Sequence, residues 1–285
     1  MTEGTKPAGT LYLCATPIGN LEDITLRVKR ILQEVGLIAA EDTRHTRKLL
    51  SYYDIHTPLT SYHEHNKREK GQKLVEEIKQ GKDIALVSDA GTPGISDPGQ
   101  DLVALAVGEG IKVIPVPGAT AAISALVSSG LPTDRFTFEG FLPRVKKDRG
   151  SMMAQLVSEE RTVVFYESPH RLIKTLEEIL ELAGDRNIAV TRELTKAHEE
   201  VVRGKITAVL EHFQNNPLKG EITVVLQGRK DEKKELPVRS ISDIGELVDD
   251  LILKGRDKKE AIKEVSRILG ISKRDVYNAV LRLKD

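Results

Sequence analysis

The chain of 285 residues has one cysteine, no tryptophan and an aromatic content of only 4%. The lone thiol, Cys14, excludes an internal disulfide, and no Cys/His cluster has zinc-ligand spacing, so no metal is expected. Net charge is also missing. The 43 basic residues balance 43 acidic ones, so any contact with nucleic acid must come from local patches rather than a global field. No apolar run approaches the ~18 to 20 residues of a membrane span, and the N-terminus, "MTEGTKPAG", lacks an apolar signal core. These absences predict a cytoplasmic protein with no membrane partner.

What is present alternates. "TLYLCA", "LIAA", "DIALVSD" and "KVIPVP" read as short apolar strands. Between and after them, "DITLRVKRILQEVG", "TRKLLSYY", residues 69–80, "GQDLVALAVGEG" and "GATAAISALVSSG" read as helices, with Gly36 as a C-cap of the first and Gly81 ending the third. Strands separated by helices of this length predict a parallel, doubly wound α/β domain over residues 1–130. A second α/β domain with a mixed sheet is expected over 131–228. Its strands are "RFTFEGFL", "RTVVFYES", "NIAVTREL", "EEVVRG" and "GEITVVLQG", interrupted by helices near 146–157 and 170–183. A charged linker, 229–236, then leads to a helical module, 237–285, patterned as a helix-turn-helix. Val265, Leu269, Ile271, Val276 and Val280 would form its core, with Gly270 in the turn. From Arg256 onward this module has nine bases, Lys273 and Arg274 among them, against five acids.

In doubly wound sheets ligands sit beyond the carboxyl ends of strands, at the topological switch point. Four loops leave such ends here: "ATPIGN", "EDTRHT", "SDAGTPG" and "PVPGAT". The third has the glycine content of a phosphate cradle but no Lys-Ser or Lys-Thr pair, so a nucleoside triphosphate does not suit it. A ligand with its own positive charge does: Asp89 can meet a cation while the glycines admit close backbone approach. S-adenosylmethionine has those features. A plainer reading makes "GTPG" and "SDPG" two tight turns.

The segments "ATPIGNLEDI", "AAEDTR", "YHEHN", "SDAGTPGISDPG", "PVPGATAA", "FYESPHR" and "RELTK" occur in the same order as in the ribosomal RNA small subunit methyltransferase I family. That family lies within the tetrapyrrole-methylase-like (class III) S-adenosylmethionine-dependent superfamily, which the chain resembles over about residues 9–228. The resemblance implies a two-domain fold, plus a C-terminal helical extension, with the methyl donor in the cleft between the domains. It implies 2′-O-methylation of a cytidine in the decoding region of 16S ribosomal RNA, with the RNA or the 30S subunit as partner and a homodimer as the acting species. Carried over residue by residue, it places Pro17, Ile18, Gly19, Asp89, Ala90, Gly91, Thr92, Ala119 and Thr120 at the donor, with Phe165, Tyr166, Glu193, Leu194, Glu221 and Ile222 completing the site.

A ribose hydroxyl is a weak nucleophile while protonated, so a base is expected on a loop facing the cleft. The sequence offers Glu41, Asp42, His63, Glu64, His65 and Lys196, of which Glu41 or His65 is the expected base; Lys196 would first need a depressed pKa. Arg44, Asn66 and Arg144 are expected to hold the nucleotide, with His63 beside it and Lys146, Lys147 and Arg149 as further phosphate contacts. Asp42 or Thr43 could equally cap the helix that follows. "HEHN" lacks a third ligand for a metal. Cys14, within an apolar strand, reads as a core thiol. Two rival readings stand: methylation of a tetrapyrrole, which leaves the tail and basic loops unexplained, and a ligand-sensing DNA-binding regulator, which the many polar loops exceed.

Overall fold

The computed structural model describes residues 7–216, 219–229, 241–269 and 271–282. It divides into two compact units, residues 1–229 and 230–285. Gly270 and residues 230–240, where the turn glycine and most of the linker were expected, lie outside the described residues.

The first unit has two sheets. The first contains β1 (Thr10–Cys14), β2 (Leu37–Ala40), β3 (Leu59–Ser61), β4 (Ile84–Val87) and β5 (Lys112–Val116), all parallel, in the order β3-β2-β4-β1-β5. Its inner strands β2 and β4 are apolar on both faces because both are covered. On one face α1 (Leu26–Glu34) and α2 (Thr43–Tyr52) bury Val28, Ile31, Leu32 and Leu50 against Cys14, Ala40, Ala85 and Val87. On the other, α3 (Lys67–Lys79) and α4 (Gly99–Gly108) bury Leu74, Ile78, Leu102 and Ala106 against Leu11, Ala39, Ile84 and Leu86. Burial pushes the Cys14 thiol up to about 12, as suits an inert core residue.

α1 starts at Thr25, whose hydroxyl accepts the Val28 N–H at 3.1 Å. It ends at Val35, in an extended conformation, so Gly36 is not the C-cap that the sequence suggests. Gly36 is instead required by proximity: a Cβ there would lie 2.9 Å from Lys82 Cγ. Gly81, with φ +90°, does follow α3 in a left-handed turn.

The second sheet is mixed, in the order β6-β7-β10-β8-β9: β6 (Phe136–Phe141), β7 (Thr162–Glu167), β8 (Asn187–Arg192), β9 (Glu200–Lys205) and β10 (Ile222–Leu226). α6 (Lys146–Ser158), α7 (Pro169–Ala183) and α8 (Ile206–Asn215) cover one face, where Leu156, Leu172, Leu176, Val209 and Phe213 close on Phe165, Val190 and Val224. α5 (Ala121–Ser128) covers the other, with Ala122, Ala125 and Leu126 against Val164, Ala189 and Val225. The small-residue helix thus crosses from the first sheet to lie on the second, tying the two into one unit.

The second unit is a bundle of α9 (Ile241–Leu253), α10 (Lys258–Leu269) and α11 (Lys273–Arg282). Val265, Val276 and Val280 join Val248, Ala261 and Ile262 in its core, and Leu269 and Ile271 pack on it partly buried. Among the described residues no helix is long and apolar enough to cross a membrane.

Candidate active site

The chain leaves β1 towards β2 and leaves β4 towards β5, on the other side of β1. Neighbouring strands whose connections diverge define a switch point, and the β1 and β4 loops meet there. They are stitched by a reciprocal pair: Thr16 N donates to Gly91 O at 2.9 Å and Gly91 N to Thr16 O at 3.0 Å. The β2 loop joins them, since Asp42 N donates to Asp89 Oδ1 at 3.0 Å. Gly91 sits at φ +79°, a conformation that a side chain would strain. Three of the four left-handed non-glycine residues among those described, Ser96, Glu193 and Thr195, border the same region. Such strain collects where a site over-determines its backbone.

Two cavities open around these loops. The first, of about 490 Å³, runs from the β4 loop (Ser88 to Thr92, Ile95 to Asp97) past Ile18, Glu41, Thr120 and Ala121 to the second sheet, where Phe141, Tyr166 to Pro169 and Gly220 to Thr223 close it. Its lining includes five carboxylates, Glu41, Asp89, Asp97, Glu167 and Glu221, and no basic side chain. The second, of about 510 Å³, lies on the far side of a wall formed by Ile18, Asp89, Ala90 and Glu221. It runs over Thr16 to Gly19 and one face of α2 to Lys196.

The carboxylates are not equivalent. Asp97 is committed to its own loop, accepting Gly94 N at 2.8 Å and Gly99 N at 2.7 Å, so the plainer reading of "SDPG" as a turn holds alongside the cavity. The Glu167 side chain is fully buried and accepts Arg171 Nε, Thr175 Oγ1 and Ser168 N, each at 2.7 Å. Burial, then the nearby Asp89 charge, raises the Glu41 carboxyl above its ordinary range. Asp42 caps α2 through the Arg44 N–H at 2.8 Å, and its bonds from Arg44 hold it well below the carboxylate range. Burial opposes the charge on Lys196, but its bond to Glu193 at 2.8 Å and the Glu221 carboxylate at 3.3 Å outweigh that and raise its pKa. The depressed value that a lysine base requires is therefore not what this site provides.

Of the expected donor residues, Ile18, Asp89, Ala90, Gly91, Thr92, Thr120, Tyr166, Glu221 and Ile222 line the first cavity; Pro17 and Gly19 line the second. Ala119 supports from behind, its carbonyl accepting Thr92 Oγ1 at 3.2 Å. Glu193 braces the cavity edge by accepting Glu221 N at 2.9 Å. Gly220, at φ +92°, makes room for it: a Cβ there would stand 2.3 Å from Glu193 Oε1. Leu194 packs beneath α5. Phe165 is a correction: period-2 alternation turns its ring away from Tyr166 and into the helix-covered core, fully buried.

Of the expected substrate residues, Arg44, Arg144, Lys146 and Lys147 are exposed. Arg149 is not: only 13% of its side chain is exposed, and it binds Glu178 at 2.7 Å and Thr175 Oγ1 at 2.9 Å, beside Glu167. It anchors α6 to α7 and lines neither cavity. His65 is exposed and lines neither cavity. Asn66 organises its own loop, accepting His63 N at 2.9 Å and donating to Ser61 Oγ at 3.2 Å. No group of three metal-ligating side chains occurs among the described residues. Lys273 and Arg274 belong to the second unit, where Lys273 lines a cavity of about 530 Å³ with Arg256, Lys263 and Arg267.

A cleft at the switch point, walled by two sheets and lined by acids without a base, suits the class of protein that takes a small cationic ligand. The pattern of the tetrapyrrole (corrin/porphyrin) methylases matches residues 10–210, and the chain belongs to that family, in its ribosomal RNA small subunit methyltransferase I branch. A protein of that name from Halalkalibacterium halodurans is 50% identical over 95% of this chain and 94% of its own. Another, from Thermotoga maritima, is 50% identical over all of its own length and 78% of this chain. A structure of uroporphyrin-III C-methyl transferase from Thermus thermophilus, complexed with S-adenyl homocysteine, shares the fold: TM-score 0.54, 21% identity, 77% of this chain and 97% of that one. The protein is a methyltransferase, and S-adenosylmethionine is its donor. The first cavity fits that molecule, because its sulfonium and ammonium groups suit a lining of carboxylates with no competing cation.

Proposed function

We propose that the protein methylates the ribose 2′-oxygen of a cytidine in the decoding region of 16S ribosomal RNA, in the cytoplasm and as a homodimer. The observation that carries this reading is the near full-length likeness to ribosomal RNA small subunit methyltransferase I, at 50% identity. The site supports it, since an acidic donor cavity stands beside a basic helix, α2, and exposed bases at Arg144, Lys146 and Lys147.

The bound donor supplies an already activated methyl group. What remains for the chain is to hold the acceptor oxygen in line and remove its proton. Asp89 and the Gly91–Thr92 backbone hold the methionyl end, and Tyr166, Ile222 and Thr120 enclose the rest. Glu41 is the base: it lines the donor cavity, and its raised pKa brings it nearer the operating pH. His65 is the alternative, acting from its exposed loop. Arg44 and Arg144 grip phosphate, and Lys273 and Arg274 add RNA affinity from the tail.

The test is incubation with methyl-labelled donor and three acceptors: 30S subunits, duplex DNA and a tetrapyrrole. Label in the subunit RNA alone is expected. Label in the tetrapyrrole alone would overturn the reading.

A further inference from the structure

α2 breaks a local rule. Beyond its cap, Asp42, the sequence "TRHTRKLLSY" has Arg44, Arg47 and Lys48 in its first two turns and no acid, although the helix dipole disfavours cations at that end. Such conflicts concentrate at functional positions. His45, Lys48, Leu49 and Tyr52, spaced i, i+3, i+4 and i+7, form one face, and that face lines the second cavity. Arg44 is paired with Asp42 at 2.8 Å. The Lys48 side chain, by contrast, has no ion pair or hydrogen bond among the described residues. Tyr52 is 64% exposed. It is held by an edge contact to Tyr53 at 4.9 Å between ring centroids, and the Tyr53 hydroxyl bonds Leu21 O in the loop after β1. An unpaired ammonium one helical turn from a braced, exposed ring is what single-stranded RNA recognition uses: charge for the phosphate, a π-face for the base.

We infer that the second cavity is a subsite for the RNA nucleotide adjacent to the methylated one, with Lys48 on its phosphate and Tyr52 under its base. The inference rests on the ribosomal RNA reading above. The wall shared by the cavities, Ile18, Asp89, Ala90 and Glu221, then separates this nucleotide from the donor, and the neighbouring ribose meets Glu41 across it. The subsite recognises a sequence-tolerant π-face and one phosphate, and serves to set register.

The full-length protein tests it with 30S subunits and labelled donor. Tyr52→Ala and Lys48→Gln should each raise KM for subunits ~10-fold, the scale of one lost stacking or phosphate contact. kcat, donor Kd and melting temperature should stay within experimental error of wild type. Tyr52→Phe should restore KM, and Lys48→Gln should flatten the salt dependence of subunit binding by about one phosphate contact. Unchanged KM and salt slope in both variants would overturn the subsite. So would donor Kd weakening in step with KM, which would assign the cavity to the donor. Wild-type protein that labels no subunit would instead contradict the ribosomal RNA reading, and the inference with it.

Discussion

Glu41 concentrates the argument at the scale of the residue. Its carboxyl is raised by burial and by the Asp89 charge, so the neutral form is favoured in the folded protein. Ionisation therefore costs more folded than unfolded, and the penalty builds as pH rises from the ordinary carboxylate value to the raised one. Glu41→Gln mimics the neutral form. It should melt higher than wild type at pH 8, with the difference vanishing near pH 4, while single-turnover methylation falls by ~10²-fold. A lower melting temperature at pH 8 would refute the environment assigned to Glu41. A near-normal rate would pass the role of base to His65 or to alignment alone. Asp89→Ala makes a separate prediction. Losing one charge-assisted contact, ~1.5 kcal/mol, should weaken donor binding ~10-fold by calorimetry, and unchanged affinity would remove Asp89 from the donor.

The network joining α6 and α7 gives a prediction at the scale of the element. Arg149 reaches Glu178 and Thr175 from a largely buried position beside Glu167, so Arg149→Ala removes the charged bonds to Glu178 and Thr175 while Glu167 keeps Arg171. Losing hydrogen bonds to a charged group typically costs ~1.5–3 kcal/mol. The unfolding midpoint should drop by several degrees, and Lys146→Ala, at an exposed position, should leave it unchanged. Equal midpoints would return Arg149 to the substrate surface. This network also marks where sequence reading stops. Apolar runs and glycine-proline loops reveal four of the five strands of the first sheet and all five of the second. β3 escapes because Leu59–Ser61 is too short to alternate. α8 escapes because "ITAVLEHFQN" continues the β-branched texture of β9. Among the site loops, Asp89 to Thr92 are legible as a string. Whether Phe165 or Tyr166 faces the cavity depends on which side α5 covers, and a basic run does not disclose that Arg149 turns inward. The α2 face of the second cavity was readable in principle, as three bases in the helix that follows the cap Asp42.

At the scale of the whole molecule, the chain is two compact units, and the donor cavity lies entirely within the first. A chain ending at Arg229 should bind donor as the full chain does. The Thermotoga maritima relative, matched over its whole length by 78% of this chain, shows that relatives can be shorter. The second unit, with Lys263, Lys273 and Arg274 exposed, should then act through affinity. Truncation should raise KM for subunits and reduce the salt dependence of binding, leaving the rate at saturating subunits in place. An unchanged KM would assign the tail another role. The central claim, transfer from an acidic donor cavity to a ribose oxygen of small-subunit RNA, is tested most directly by where the methyl group lands. 30S subunits lacking this modification, incubated with protein and labelled donor, are digested to nucleosides and resolved by mass spectrometry. All label in 2′-O-methylcytidine is the predicted result; label on a base, or on another nucleoside, would contradict the account.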